Sequence, residues 1–243
     1  MRALLASDIH SNLEALESVI EDAESRGGFD QIWSLGDLVG YGPDPGACID
    51  LARRYDHHAV AGNHDLACVG KLSLEAFNSN AAAANRWTSD QLTKEQADYL
   101  RELPLRLEMG EFTVVHGSPR DPVWEYMVSM VAAVASFAHF DTNWCLVGHS
   151  HQPFVCRPAE EGAVFQEFRL DTPLALNDDR MIINPGGLGQ PRDGDPRASY
   201  GIYDSDEGTV NHHRAEYDIP ATQEKMRKHG LPHFLIERLA HGR

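Results

Sequence analysis

Basic charge is scarce in this chain. Against 37 Asp and Glu stand 21 Lys and Arg, a formal net charge of -16, and no stripe of Lys and Arg runs along any segment. Nucleic-acid binders draw affinity from clustered basic side chains on phosphates, so that class is disfavoured, nucleases included. A small phosphorylated substrate is not excluded, because bound divalent cations can reverse the local sign of a site. Long apolar runs are also missing. Met1 to Ala6 is too short for a signal peptide or a spanning helix before Asp8 intervenes, which predicts a cytoplasmic protein with no membrane partner. Cysteine is sparse. Cys48, Cys68, Cys145 and Cys156 form no Cys-x-x-Cys pair and no zinc-finger spacing, and they read as buried free thiols in preference to disulfides or ligands. Internal repeats, low-complexity tracts and linkers are absent, and 243 residues, 42% of them hydrophobic, suit one domain over 1–243 with a sizeable core.

What the chain does have is a recurring pattern of strand ends. Ala3 to Ala6 precedes Asp8-Ile9-His10, Gln31 to Leu35 precedes Gly36-Asp37, and His58 to Ala61 precedes Gly62-Asn63-His64-Asp65. Phe112 to Val115 precedes His116, and Cys145 to Val147 precedes Gly148-His149-Ser150-His151. Any one of these is weak, since Gly, Asn and Asp gather in ordinary turns. Five apolar runs that each deliver ligand-type side chains at their C-terminal ends point to a shared site.

The first 65 residues alternate strand and helix, which implies parallel strands with crossover helices. The first helix is predicted to start at Ser11 as N-cap with Glu14 closing a capping box, to carry Leu13, Leu16, Val19, Ile20 and Ala23 on one face, and to stop at Gly27-Gly28. A second helix is predicted over about 46–54. Leu72 to Leu103 reads as a helical insertion or cap of two helices, Arg106 to Val115 as two strands about Met109-Gly110, and Val128 to Phe140 as an apolar helix that is either core or a face for a second copy in a homo-oligomer. Beyond residue 151, short β-rich runs at 154–156, 164–170, 181–183, 199–203 and 209–213 lack intervening helices and read as an antiparallel second sheet. Thr222 to Leu239 reads as two short amphipathic helices. Two sheets packed face to face with helices outside account for the pattern.

The candidate metal ligands are Asp8, His10, Asp37, Asn63, His116, His149 and His151, with His64 beside them. Carboxylate, imidazole and amide ligands without Cys suit divalent Mn, Fe, Zn, Co or Ni and argue against a structural zinc. Seven ligands exceed one tetrahedral ion but serve two if a carboxylate bridges, and Asp37 is the natural bridge as the lone charged ligand of its loop. Asp8/His10 and His149/His151 are each two residues apart, so in extended backbone both members face one side, where a pair can grip one ion or straddle two. Two ions about 3.5–4 Å apart would acidify a shared water and hold the oxygens of an in-line displacement, the geometry of phosphoryl hydrolysis.

Asp8-x-His10, Gly36-Asp37, Gly62-Asn63-His64-Asp65, His116 and Gly148-His149-x-His151, in that order, resemble the five-block signature of the calcineurin-like metallophosphoesterase superfamily, and Asn184-Pro185-Gly186-Gly187 resembles the Asn-Pro-Gly turn of its small bacterial members. The resemblance implies an α/β fold, a four-layer αββα sandwich of two mixed β-sheets flanked by helices. It implies one ion on Asp8, His10, Asp37 and His151 and a second on Asp37, Asn63, His116 and His149. It also implies a catalytic His64 near the leaving-group oxygen as proton donor or charge stabiliser. Asp65 either orients His64 or caps a helix. Asn12 reads as the first-turn residue of helix one, with a substrate contact allowed by the resemblance.

Departures bear on substrate. Ser/Thr protein phosphatases continue the Gly-Asp block into Val-Asp-Arg-Gly and place an Arg before Gly-Asn-His, whereas here Asp37 leads into Leu38-Val39-Gly40-Tyr41 and Ala61 precedes Gly62. Protein phosphatase activity is therefore disfavoured. Tyr41 lies one position too late to match the tyrosine ligand of purple acid phosphatases. The 189–197 loop either returns Arg192 or Arg197 to the site mouth or stays solvated. Three functions follow as expectations: hydrolysis of a small phosphomonoester or phosphodiester, hydrolysis of a dinucleoside polyphosphate with the 72–103 region holding a nucleoside, or a binding scaffold that lost catalysis. The last is disfavoured because no ligand of the signature is missing.

Overall fold

The computed structural model of the chain describes residues 1–243. Its elements run β1 (Arg2–Ala6), α1 (Leu13–Ser25), β2 (Gln31–Ser34), α2 (Pro45–Ala52), β3 (Asp56–Ala59), α3 (Asn63–Cys68), α4 (Ser79–Gln91), α5 (Lys94–Glu102), β4 (Arg106–Met109), β5 (Phe112–Val115), α6 (Met130–Ser136), β6 (Trp144–Leu146), β7 (Phe154–Ala159), β8 (Gly162–Glu167), β9 (Leu174–Ala175), β10 (Met181–Asn184), β11 (Ala198–Asp204), β12 (Thr209–Ala215), α7 (Ile219–Lys228) and α8 (His233–Arg238). The strands form two six-stranded sheets in the orders β3-β2-β1-β11-β12-β9 and β4-β5-β6-β10-β7-β8. Both are mixed. Strands β1, β2 and β3 pair in parallel, as do β5, β6 and β10, and the remaining ladders are antiparallel.

The period of two along β1 explains the layering. Leu4 and Ala6 face a buried cluster that takes Leu16, Val19, Ala23 and Ile49 from α1 and α2. Ala3 and Leu5 face the other way, against Phe112, Leu146 and Ile183 of the second sheet. The outer side of that sheet, through Val115, Cys145 and Ile182, packs on Ala132 and Ala133 of α6. The order is helices, sheet, sheet, helix, the predicted four-layer sandwich. A fourth cluster joins Tyr41 and Ala84 of α4 to Met226, Leu235 and Leu239, so the C-terminal helices close over the strand ends. All four cysteines are free and buried, and no helix is long and apolar enough to cross a membrane.

Several local expectations are corrected. The β-rich second half does not form a sheet of its own: β9, β11 and β12 extend the first sheet, and β7, β8 and β10 the second. In the first sheet β11 joins the open edge of β1 antiparallel and carries β12 and β9; in the second β10 joins β6 parallel and carries β7 and β8. The N-cap of α1 is Asn12, whose side chain accepts from the Ala15 N–H; Ser11 has φ +54°, unlike the extended backbone of a cap residue, and Glu14 pairs with Lys225 instead. The apolar run 128–140 yields only the seven-residue α6. Its alanines face the sheet while Val131 stays 76% exposed, so the run is not uniformly core. The 72–103 region does hold two main helices, α4 and α5, after a short 3-10 turn at Leu74–Ala76.

Candidate metal centre

Five strand ends converge as their sequence pattern predicts, but not through extended backbone. Asp8, His10, Ser11, Asp37, Tyr41, His149 and His151 all have φ between +48° and +62°, and outside these loops only Asp171 among non-glycine residues does so. Left-handed backbone costs a side-chain-bearing residue about 1–2 kcal/mol, and such strain gathers where a site fixes side chains. The extended backbone assumed for Asp8/His10 and His149/His151 is therefore replaced, while both arrangements open to such a pair, one ion gripped or two straddled, occur. Asp8, His10 and His151 form one group and Asp37, His116 and His149 a second, so the first pair stays together and the second straddles the two.

Within the first group, His151 Nε2 lies 3.2 Å from Asp8 Oδ1 and His10 Nε2 lies 3.9 Å from it. The two Nε2 atoms face each other at 3.3 Å. In the second group, His116 Nε2 stands 3.3 Å from Asp37 Oδ2, 3.0 Å from His149 Nδ1 and 3.1 Å from Asn63 Oδ1. Asp37 Oδ2 is also 3.7 Å from His10 Nε2, so this carboxylate oxygen of the second group is turned toward the first. Its other oxygen accepts the His64 backbone N–H at 2.8 Å, which aims Oδ2 at the centre. Gly62 makes this approach feasible: a Cβ there would lie 2.1 Å from Asp37 Oδ1. Gly36 has φ +88° and would collide with the His116 ring if it carried a Cβ.

The donor set fits a pair of divalent cations. His10 Nδ1 donates to Val39 C=O at 3.2 Å, His116 Nδ1 to Leu35 C=O at 2.8 Å and His151 Nδ1 to Gln190 C=O at 2.5 Å. That arrangement leaves each Nε2 as a lone pair turned inward, the usual outer support of a metal-bound imidazole. Lone pairs opposed at about 3 Å repel unless a cation or proton lies between them. Asp8 Oδ1 and His149 Nε2 are buried and have no hydrogen-bond partner, a costly condition for polar atoms. Burial raises the Asp8 carboxyl to about 6, and His116 lowers it less. His10 and His151 are held well below the usual imidazole value by burial. For His116 burial also acts downward, but Asp37 outweighs it and pushes the ring up to about 9. Asp37 itself is held well below the ordinary carboxylate value: burial raises it, and His116 and His64 lower it more. A cation bound here competes with that proton, since metal ligation requires neutral imidazole.

His64, at the start of α3, is 4% exposed, and its ring packs between Tyr41 at 4.3 Å and Phe77 at 5.1 Å, centroid to centroid. Its Nδ1 donates to Asn85 Oδ1 at 2.7 Å, leaving Nε2 for chemistry. Asp65 does not orient it. Both Asp65 oxygens accept backbone N–H groups, from Val39 and Gly62, so Asp65 ties the start of α3 to the Asp37 loop. Asn12 is likewise committed to protein: Oδ1 accepts from Ala15 and from the Thr222 hydroxyl, and Nδ2 donates to Gly189 C=O. The substrate contact allowed for Asn12 gives way to a tie between α1, α7 and the 189–197 loop. Arg192 does return to the site, with Cζ 5.9 Å from the Tyr41 ring centroid and Nη2 on Gln190 Oε1 at 2.9 Å. Arg197 does not return; it pairs with Asp195 at 2.6 Å.

Sequence reading missed Asn85. A signal existed: the buried stripe of α4 is Ala81, Ala84, Asn85 and Thr88, and an amide on a helix face otherwise suited to small apolar residues needs a partner. It also missed Tyr126, whose ring stacks on His149 at 3.9 Å, because nothing local marks that contact.

Known proteins resemble this chain over most of its length. A solved metallophosphoesterase from Sphaerobacter thermophilus is 48% identical, with a TM-score of 0.91 over 100% of this chain and 99% of that one. An uncharacterized protein of Methanocaldococcus jannaschii is 41% identical over 98% of this chain and 96% of its own length. A symmetrical bis(5'-nucleosyl)-tetraphosphatase of a Shewanella species is 32% identical, over 46% of this chain and 41% of that protein. Residues 1–208 match the model of the calcineurin-like phosphoesterase superfamily domain, and with two His/Asp groups able to hold metal at its strand ends the chain belongs to that superfamily as a phosphoesterase hydrolase.

Proposed function

We propose that the chain is a dinuclear-metal phosphohydrolase that cleaves the phosphoester bonds of small phosphorylated substrates by in-line displacement. The observation that carries this reading is Asp37 Oδ2, 3.7 Å from His10 Nε2 and 3.3 Å from His116 Nε2. Asp8, His10, Asp37 and His151 would hold one cation, and Asp37, Asn63, His116 and His149 the other. Two divalent ions (Mn, Fe, Zn, Ni or Co) would supply an acidified water and neutralise phosphoryl oxygens. His64 acts on the leaving-group oxygen through Nε2, a role worth about two to four orders of magnitude in rate. Asn85 holds its ring, and Tyr41 and Phe77 shield it from water. We assign the protein to the cytoplasm, in keeping with four buried unpaired thiols.

The test is a panel of bis-p-nitrophenyl phosphate, p-nitrophenyl phosphate and dinucleoside polyphosphates against protein loaded with Mn, Ni, Zn or Fe. Metal-dependent release from at least one ester is expected. Two bound equivalents of metal with no hydrolysis of any substrate would overturn the reading. A second reading, dinucleoside polyphosphate hydrolysis, is favoured by the partial match to symmetrical bis(5'-nucleosyl)-tetraphosphatases, and the same panel separates the two.

A further inference from the structure

Asn184-Pro185-Gly186-Gly187 supplies no ligand to either metal group, yet it holds the loop that serves both. Asn184 ends β10 and is fully buried. Its Nδ2 donates to Gly148 C=O at 2.8 Å and to the Ser150 hydroxyl at 3.1 Å, and its Oδ1 accepts the Gly186 N–H at 2.8 Å. The last bond fixes which end of the amide faces the 148–151 loop, because a donor must meet the oxygen. Past Asn184, the chain runs on beneath the first group. Gly187 lies against the His151 ring, where an added Cβ would come 2.8 Å from His151 Cβ and 2.9 Å from Nδ1. The Leu188 and Gly189 N–H groups donate to Ser7 and Asp8 C=O at 2.8 and 2.9 Å, and Gln190 C=O receives the His151 Nδ1 proton.

The 148–151 loop needs such a hold. His149 and His151 have φ +62° and +57°, backbone that residues with side chains avoid, and a strained loop persists only where its surroundings over-determine it. Apart from Asp8, whose Oδ2 accepts the His149 N–H at 3.1 Å, Asn184 is the one side chain bonded to this backbone. His151 belongs to the first ligand group and His149 to the second. Relaxation of the single loop would therefore misplace one ligand of each ion, whereas crowding at Gly187 bears on the His151 ring alone.

We propose that Asn184 is a positioning residue for both cations of the centre, and that Gly187 positions the first cation alone by leaving room for the His151 ring. This rests on the dinuclear reading and deepens it. Asn184 works as a donor. An aspartate in its place keeps the shape and the acceptor for Gly186 N–H but turns an oxygen toward Gly148 C=O, so the loop loses its tie. Gly187 works through the absence of a side chain.

The test is calorimetric titration of metal-free protein with manganese(II) in wild type, Asn184→Asp, Ser150→Ala and Gly187→Ala, with thermal melts of the same samples. Partners that orient metal ligands typically change affinity about 10–100-fold, and Asn184→Asp is expected to weaken both sites in step by that amount. Ser150→Ala removes one of the two acceptors and should weaken both sites less; it carries the test if Asn184→Asp does not fold. Gly187→Ala should weaken one site and leave the other unchanged. A merely structural Asn184 would lower the melting temperature and move neither affinity. That result, or a loss confined to one site in Asn184→Asp, would overturn the proposal for Asn184, and equal weakening of both sites in Gly187→Ala would overturn it for Gly187. Because binding is the readout, Asn184-dependent uptake of two cations by a protein that hydrolyses no ester would sink the catalytic reading alone. Metal-dependent hydrolysis with affinities indifferent to Asn184 and Ser150 would sink only this one.

Discussion

Asn85 Oδ1 lies 2.7 Å from His64 Nδ1 and fixes which nitrogen of the imidazole is free. The bond ties a residue of α4 to the first turn of α3, so a helix that supplies no candidate metal ligand sets the orientation of the proposed acid. Asn85→Ala is expected to lower kcat on esters with poor leaving groups about tenfold, with KM and metal content unchanged. Asn85→Asp, which keeps an acceptor, should recover part of the loss. Equal kcat for alanine variant and wild type across a leaving-group series would remove Asn85 as a positioning residue.

His64→Ala is expected to retain both metals, because its contact with Asp37 runs through the backbone N–H. Its turnover should fall by about two to four orders of magnitude on poor leaving groups and by much less on p-nitrophenyl esters. A flat loss across the series would assign His64 to binding.

Asp37 is the one carboxylate within reach of both ligand groups, so Asp37→Asn should reduce bound metal from two equivalents to below one, read by elemental analysis. The neighbouring Gly62→Ala should act through the same residue, since the added Cβ would meet Asp37 Oδ1, and should cost stability as well as metal. Two full equivalents in Asp37→Asn would refute the bridge.

The parts of the site carried by chain order were legible in advance: five strand ends, the ligand types they deliver and a central place for Asp37. Side-chain direction was not. Alternation assumes extended backbone, and Asp8, His10, His149 and His151 are left-handed, a conformation set by packing of the loops on one another. Sheet membership of β9, β11 and β12 was hidden for a related reason: a short antiparallel strand reads the same whichever sheet edge it joins. Tyr126 reaches His149 only because the 123–129 segment folds over the site, and no spacing in the sequence encodes that return. Of the two roles the sequence left open for Asp65, the helix cap is the one formed: the Gly62 and Val39 backbone N–H groups take both its oxygens.

The buried thiols make a prediction about access. Burial raises Cys48 and Cys68 well above the ordinary thiol value and Cys156 to about 11. Reactivity with disulfide reagents needs both exposure and thiolate. Native protein at pH 8 is expected to release well under one equivalent of thionitrobenzoate per chain, rising to all four thiols in denaturant. Rapid labelling of native protein would show that one of these segments opens.

Stability should depend on pH through His57, away from the metal centre. Its ring bridges the Ser34 hydroxyl at 2.7 Å and the Tyr99 hydroxyl at 2.9 Å, a setting that suits a neutral imidazole with one donor and one acceptor. Burial, helped by His58 and Arg53, lowers it to about 4. The unfolded chain therefore takes up a proton near the ordinary value of 6.5 while the folded chain resists until about 4. Linkage then makes stability fall as pH drops through that window, and leaves it flat above the window. The expected loss at pH 5 is about 1–2 kcal/mol, from about 1.4 kcal/mol per unit with a reduction for the partly exposed ring. Urea melts of wild type and His57→Gln from pH 8 to 5 check the sign: the difference between them should be constant above pH 7, and wild type should lose ground below it. Parallel curves down to pH 5 would mean that the folded ring accepts a proton as readily as the unfolded one.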